Sequence, residues 1–332
     1  MRFFPPEWHK HSRTWVAFPT AGYTLGDTES DHHRARTAWA AVANAASEFE
    51  PVSVVINPGD ESIARKYLSN ACELIPIPIN DAWIRDSGPS FVIENRSLKA
   101  VNWVFNGWGA QGWATFDKDA QLAAAIARHL GVEVIDSELV NEGGGFHVSG
   151  SGDLLLTKTV QLGKGRNPNL SADAVETEMH DKLGTKKAIW LDRGLTRDYE
   201  EFGTQGHVDI VACFAPDGRV LYHDQRNPNH PDYLVSAEVR ELFIRAGYEV
   251  VSVPAPEVLS DREGPVDFSY INHYVLNNAV LLCAFNDPRD KEAKAIIREA
   301  YPGREIVLLD ATEIFARGGG IHCITQQQPE VN

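Results

Sequence analysis

GVEVIDSELVNEGGGFHVSGSGDLLLTK, residues 131–158, carries the pattern that decides the fold. Gly131 follows an apolar-periodic stretch, where a glycine can take the left-handed conformation that closes a helix. VEVI then reads as a strand, being short, β-branched and without helical spacing. NEGGG is polar, and FHVSG with LLLTK makes a hairpin across a Gly/Ser turn, as hairpins prefer. The order is helix, strand, polar segment, hairpin.

The same order recurs on both sides. Helices are expected to end near Gly184, Gly247 and Gly303 as well, and the strands KKAIWL, YEVVSV and REIVLL follow them. The paired runs FVIEN/AVNWVF, VDIVACF/RVLYH and YVLNN/VLLCAF read as further hairpins. A fifth must combine IHCIT from one end of the chain with TWVAF from the other. A first helix over Asp31 to Phe49 puts Ala38, Trp39, Val42, Ala46 and Phe49 on one face, ahead of the strand VSVVI. Polar segments separate the units: DAWIRDSGP, NEGGG, TQGHVD, DFSYINH and ARGGGIHC. Measured from Asp86, the markers Glu142, His207, Asn272 and Cys323 follow at intervals of 56, 65, 65 and 51 residues. A near-constant period of this size predicts a closed array of supersecondary units. The expectation is an α/β chain forming one domain over residues 1–332, a five-bladed pseudosymmetric propeller with its polar segments at the centre. The alternative is a generic α/β domain with coincidental spacing.

Those central segments hold the reactive side chains. A free cysteine is by default a small buried apolar residue, and Cys72, Cys213 and Cys283 fit that inside apolar runs. Cys323 differs, standing among three glycines, His322 and a QQQ tract, which makes it the candidate nucleophile. His207 and Asp209 open a run read as a strand, so alternation sends both to one side; the pair suits a proton shuttle with its orienting acid, or a structural bond, or two metal ligands. Asp86 and Glu142 are acids at predicted strand ends, where a lone acid usually forms a turn. Arg85 reads as an ion-pair partner, pointing away from Asp86 if the segment is extended. Trp83, three residues before Asp86, offers an aromatic face to a cation. Trp103, Trp108 and Trp113 read mostly as core or cover, and RNPNLS as a loop ending in the N-cap Ser171.

One thiol, one imidazole and three carboxylates suit a guanidinium. That cation is planar and rich in N–H donors, which carboxylates grip through paired hydrogen bonds. Gripped so, its unreactive carbon is held in line with a thiolate. The carboxylates raise the thiol pKa, and substrate charge with protonated His207 offsets this. A metal hydrolase built on His147, His207, Asp209 and Glu142 is the reading from another class.

Composition narrows the partners. A net charge of −15 and a pI near 5.2 argue against nucleic acid or an anionic membrane. The four cysteines are far apart, without a CxxC pair, so neither a disulfide framework nor structural zinc is expected. MRFFPPEWHKHSRTW lacks the apolar run of a signal peptide, and no segment approaches the roughly 20 apolar residues of a membrane span. A cytoplasmic protein is expected, with a homo-oligomer left open.

The motifs resemble a known family. WIRDSGP, NEGGGFHVSGSG, RNPNLS, GHVDI, SYINHYVLNN and GGGIHCITQQQP stand in the order seen in agmatine deiminases, and PPEWHKHSRTWVAFP resembles their start. The wider group includes the bacterial-type peptidylarginine deiminases of the pentein superfamily, and the likeness runs from about residue 5 to 329. The resemblance implies a pentein propeller and hydrolysis of agmatine to N-carbamoylputrescine and ammonia. It implies no metal or organic cofactor. By motif position, Cys323 is then the nucleophile, His207 the general acid/base, Asp86 and Asp209 the guanidinium clamps, and Glu142 the supporting acid. Deiminases of peptidyl-arginine or of another small guanidino compound share this chemistry. Many members carry Asn where this chain has Gln205 and Ile210, which bears on the far end of the substrate.

Overall fold

The computed structural model describes residues 2–262 and 264–331. The chain is mixed α/β, with five small sheets among the described residues. Each is built around one repeated connection: an antiparallel pair, then a helix that crosses back to a strand lying parallel to the second. Parallel neighbours require such a crossover.

The repeat is plainest in the sheet of Ala279–Ala284. This strand pairs antiparallel with Tyr274–Val275 and parallel with Glu305–Asp310, and the helix Asp290–Ala300 joins the parallel pair. Its run AVLLCA is apolar along almost its whole length because it is covered on both faces. The helix Leu122–Leu130 serves the sheet of Ser90–Glu94, Ser97–Val104 and Glu133–Val140, to which Arg2–Phe3 adds an edge. Helices Ala172–Leu183 and Asp232–Arg245 serve the next two sheets. In the fifth, Thr325–Pro329 pairs antiparallel with His11–Ala17, so the two ends of the chain do pair, but through TQQQP rather than the expected IHCIT. Val52–Ile56 and Cys72–Pro76 extend that sheet in parallel.

Local chemistry explains the helix ends. Gly131 and Gly184 cap their helices directly in the left-handed region. Gly247 and Gly303 also have positive φ but lie beyond their helices, whose caps are Ala246 and Tyr301. The first helix spans Glu29–Ala46, starting earlier than the apolar pattern suggests. Thr28 and Asp31 form a capping box there, satisfying two N-terminal N–H groups at once. Trp39, Val42 and Ala46 are buried as read, whereas Phe49 lies past the helix end.

Two expected strands differ. In IHCIT, His322–Ile324 is a tight helical turn, and the strand begins only at Thr325. Val208–Ile210 is a tight helical turn, and the strand begins only at Ala212. Ile84–Ser87 is also a single helical turn. In all five units the polar segment delivers its marker residue two to five positions ahead of the hairpin's first strand.

Candidate active site

The five polar segments bond to one another in cyclic order. Gly144 donates its N–H to Asp86 Oδ1 at 3.0 Å. Glu142 Oε2 meets His207 Nε2 at 3.4 Å. Asn272 Nδ2 donates to the Asp209 carbonyl at 3.3 Å and to Cys323 Sγ at 3.3 Å. Arg85 Nε closes the circuit on the His322 carbonyl at 3.2 Å.

Cys323, His207, Glu142, Asp86 and Asp209 are all buried together inside this circuit. Alternation along a strand is not what aligns His207 with Asp209, since the helical turn does that instead. The glycines next to the site are there for room. A Cβ on Gly144 would stand 2.5 Å from His207 Nδ1 and 3.0 Å from both Asp209 Oδ2 and Asp86 Oδ1. On Gly319 it would stand 2.7 Å from the Trp83 ring and 3.0 Å from Cys323 Sγ. Of the glycine run beside the cysteine, only Gly318 needs positive φ.

Burial governs the electrostatics, and neighbouring charges decide each sign. Burial drives the Cys323 thiol well above its ordinary value, with Asp209 and Asp86 adding to the effect. Burial opposes a charged His207, yet Asp86, Glu142 and Asp209 together raise its pKa to about 9. Asp86 is raised by burial, with Asp209 and Glu142 reinforcing it. For Glu142 burial is outweighed by Arg166 and His207, which lower it. For Asp209 it is outweighed by the bond to His322. Two buried atoms here have no hydrogen-bond partner: Asp209 Oδ1, and His207 Nδ1, which faces Asp86 Oδ1 at 3.8 Å.

Trp83 lines a small cavity with Cys323, Asp86, Trp108, Trp113, Phe202 and Arg317, as its spacing suggested. Trp108 is more than cover, because its Nε1 donates to Asp86 Oδ2 at 2.8 Å. Trp103 is core and bonds Ser90. Phe202 roofs the cavity, stacked on Tyr23 with centroids 4.0 Å apart and edge-on to Trp113 at 5.2 Å. Beyond Phe202 and Gly318 an adjoining cleft carries Asp198, Glu200, Glu201 and Asp267. Asp81, from the polar segment DAWIRDSGP, is not in that cleft. It is buried and accepts from Thr24 N and Ala82 N.

Arg85 points away from Asp86 as expected, though from a helical turn, reaching Gln327 Oε1 at 2.9 Å and Glu7 at 3.6 Å. Arg317 is ion-paired with Glu313 and lies at the cavity wall. The four-residue metal set does not converge, because His147 accepts from Phe214 N and faces Glu7. Sequence reasoning missed Arg166, which sits in RNPNLS just ahead of the confirmed N-cap Ser171. Its Nε lies 3.0 Å from both Glu142 oxygens, and its Nη2 donates to the Thr204 carbonyl. The signal was present as a lone arginine in a motif shared with the resembled family.

Gln205 has φ 71°. Asparagine enters that left-handed region more readily than glutamine, so the departure from the family pattern falls on a strained position. Ile210 is buried, and its carbonyl accepts from Ser269.

Known proteins are similar to this chain along nearly their whole length. A Streptomyces coelicolor protein provisionally named an agmatine deiminase is 53% identical over 98% of both chains. The agmatine deiminase of Ectopseudomonas mendocina is 34% identical, covering 98% of this chain and 95% of its own. The solved agmatine deiminase of Enterococcus faecalis superposes with a TM-score of 0.91 at 29% identity, over 100% of this chain and 96% of that one. Residues 3–329 match the model of a single family, and the cysteine, histidine and acidic segments that meet in the site all lie within that match. The chain belongs to the Porphyromonas-type peptidyl-arginine deiminase family.

Proposed function

We propose that this protein hydrolyses agmatine to N-carbamoylputrescine and ammonia through a covalent Cys323 intermediate. The observation that carries this is the unpartnered Asp209 Oδ1 beside Asp86 and the thiol, a buried acceptor awaiting an N–H donor. The names of the relatives support the choice of substrate. A guanidinium supplies donors for both aspartates, and its charge favours the thiolate that burial disfavours.

The Cys323 thiolate adds to the guanidinium carbon. The tetrahedral adduct collapses with departure of one nitrogen, which leaves as ammonia after taking a proton from His207. The remaining S-amidino thioether is attacked by water, which gives a proton back to His207. Collapse expels the thiolate, and loss of the adduct's hydroxyl proton to solvent leaves the neutral ureido product. Glu142, with Arg166 behind it, holds His207 by Nε2 and leaves Nδ1 for proton exchange.

A compact cation suits the space better than a peptide, because Tyr23, Trp113 and Phe202 roof the cavity. The acids of the adjoining cleft suit a distal ammonium. Asp198 is already bound by Thr204, Gly206 and His207 N–H groups, so Glu201 and Asp267 are the better candidates to meet it. We further infer that the five units close into a single-domain propeller. The cyclic bonding of the five segments and the hairpin between chain ends support this. The protein works on a small solute in the cytoplasm; no helix among the described residues is long and apolar enough to cross a membrane.

The test is ammonia release from agmatine, arginine and a blocked arginyl peptide. Agmatine kcat/KM should exceed that for arginine roughly ten- to a hundredfold, the worth of one charged hydrogen-bonded contact. Equal use of arginine, or preference for the peptide, sinks the agmatine assignment. No ammonia from any of the three sinks the deiminase reading.

A further inference from the structure

A second line of charge reaches the site through Asp209. Glu7, in the N-terminal PPEWHK stretch, is buried. Its Oε1 lies 2.7 Å from His322 Nε2. His322 Nδ1 lies 2.8 Å from Asp209 Oδ2, and that same oxygen stands 3.5 Å from Cys323 Sγ. We propose that Glu7 and His322 are positioning residues of the reaction. They form a charged relay that fixes Asp209 and offsets its charge beside the thiol. This rests on the deiminase reading above.

The geometry itself specifies the protonation. An ionised carboxylate only accepts hydrogen bonds. An imidazole at bonding distance from one carboxylate on each nitrogen must donate from both, and is then an imidazolium. Burial and the charge of Arg85 oppose that proton, and Glu7 with Asp209 outweighs them, raising the His322 pKa. Burial likewise opposes a charged Glu7, while His322, His147 and Arg85 hold it well below the ordinary value. The groups facing His322 are Glu7 from the N-terminal stretch, Asp209 from its turn, Arg85, His273 and the adjacent Cys323.

Two consequences bear on the reaction. Asp209 Oδ2 is occupied by His322, which leaves Oδ1 free in a fixed direction for the substrate. Charge also comes into balance. Glu7, Glu142, Asp86 and Asp209 are then matched by Arg85, Arg166, His207 and His322. Without the His322 charge, the acids would raise the thiol further.

The first test needs no substrate. Iodoacetamide alkylation of Cys323 followed against pH reads the thiol directly, so it stands even if the agmatine reading fails. His322→Asn keeps a donor for Asp209 and removes the charge, and should move the alkylation midpoint to higher pH. An unmoved midpoint in a folded variant overturns the relay. The second uses Glu7→Gln, which lowers the proton affinity of His322. Its kcat/KM for agmatine should fall roughly ten- to a hundredfold, the loss of one charged hydrogen bond. The loss should be borne by KM and should grow as pH rises above 6.5, the ordinary histidine value. A loss independent of pH means a merely structural role and overturns the proposal. If His322→Asn does not fold, Glu7→Gln alone decides.

Discussion

At the residue scale the site combines groups whose pKa values have been driven apart. The Cys323 thiol is pushed up by burial and two aspartates, while His207 is held protonated to about 9. Cys323→Ser should retain the fold and lose turnover, since a hydroxyl is barely ionised where a thiolate is needed. Turnover near wild type in that variant ends the covalent mechanism. In the free enzyme, alkylation of Cys323 should still be climbing at pH 9, the ordinary thiol value, and a plateau below it would show a thiol that burial does not govern. Asp86→Asn and Asp209→Asn each leave desolvated charge without its partner, which costs roughly 3–5 kcal/mol. Both should therefore lower kcat/KM by two or more orders of magnitude, and losses under about tenfold in both remove them as clamps. Protonated His207 also contributes to stability. With its pKa raised, that contribution is complete below 6.5 and is lost as pH climbs through about 9. The melting temperature should thus fall over that window, and less so in a His207→Gln variant.

At the scale of elements, the sequence was most legible where composition has one structural meaning. Helix-closing glycines and β-branched runs located the hairpins and crossovers, because helix closure and strand alternation are local. The polar segments between them held all five expected side chains and Trp83. Their internal geometry was not legible. His207 and Asp209 converge by a helical turn, and Arg85 diverges from Asp86 by another, so two correct placements had the wrong cause. Arg166, Asn272 and Glu7 went unassigned because a charged partner is chosen by tertiary approach. Arg166 is 24 residues from Glu142, and Glu7 is 315 from His322. The element NEGGG is the sharpest case, since its middle glycine touches three site residues. Gly144→Ala forces a methyl to within 2.5 Å of His207 Nδ1, and overpacking of this kind costs about 1–3 kcal/mol. Activity should vanish while the protein stays folded. A Gly144→Ala enzyme with near-normal kcat/KM would mean that His207 and the clamps are not packed as described.

At the scale of the molecule, the site is nowhere the property of one unit. Asp86, Glu142, His207 with Asp209, Asn272 and Cys323 come from five successive segments, and each is bonded to the next. A ligand in the centre therefore ties all five units, and its binding energy should stabilise all of them at once. Cys323→Ser provides the vehicle, because it can bind agmatine without consuming it. At a free concentration about 100 times Kd, binding adds roughly 2.7 kcal/mol to the stability of the folded state. Unfolding entropy is about 2.1 cal/mol/K per residue, or roughly 0.7 kcal/mol/K for a chain of this length, so Tm should rise by about 4 °C. The form of the melt decides more than the size of the shift. Were the chain two domains, one transition would move with ligand and the other would stay. A single cooperative domain moves far-ultraviolet circular dichroism and tryptophan fluorescence together. The eight tryptophans are spread from Trp8 to Trp190, so fluorescence leans on the first two units and on the fifth, which joins the chain ends. Circular dichroism samples every helix, including Asp232–Arg245 and Asp290–Ala300, whose units hold no tryptophan. Two transitions, with agmatine shifting only the fluorescence one, would overturn the single-domain ring.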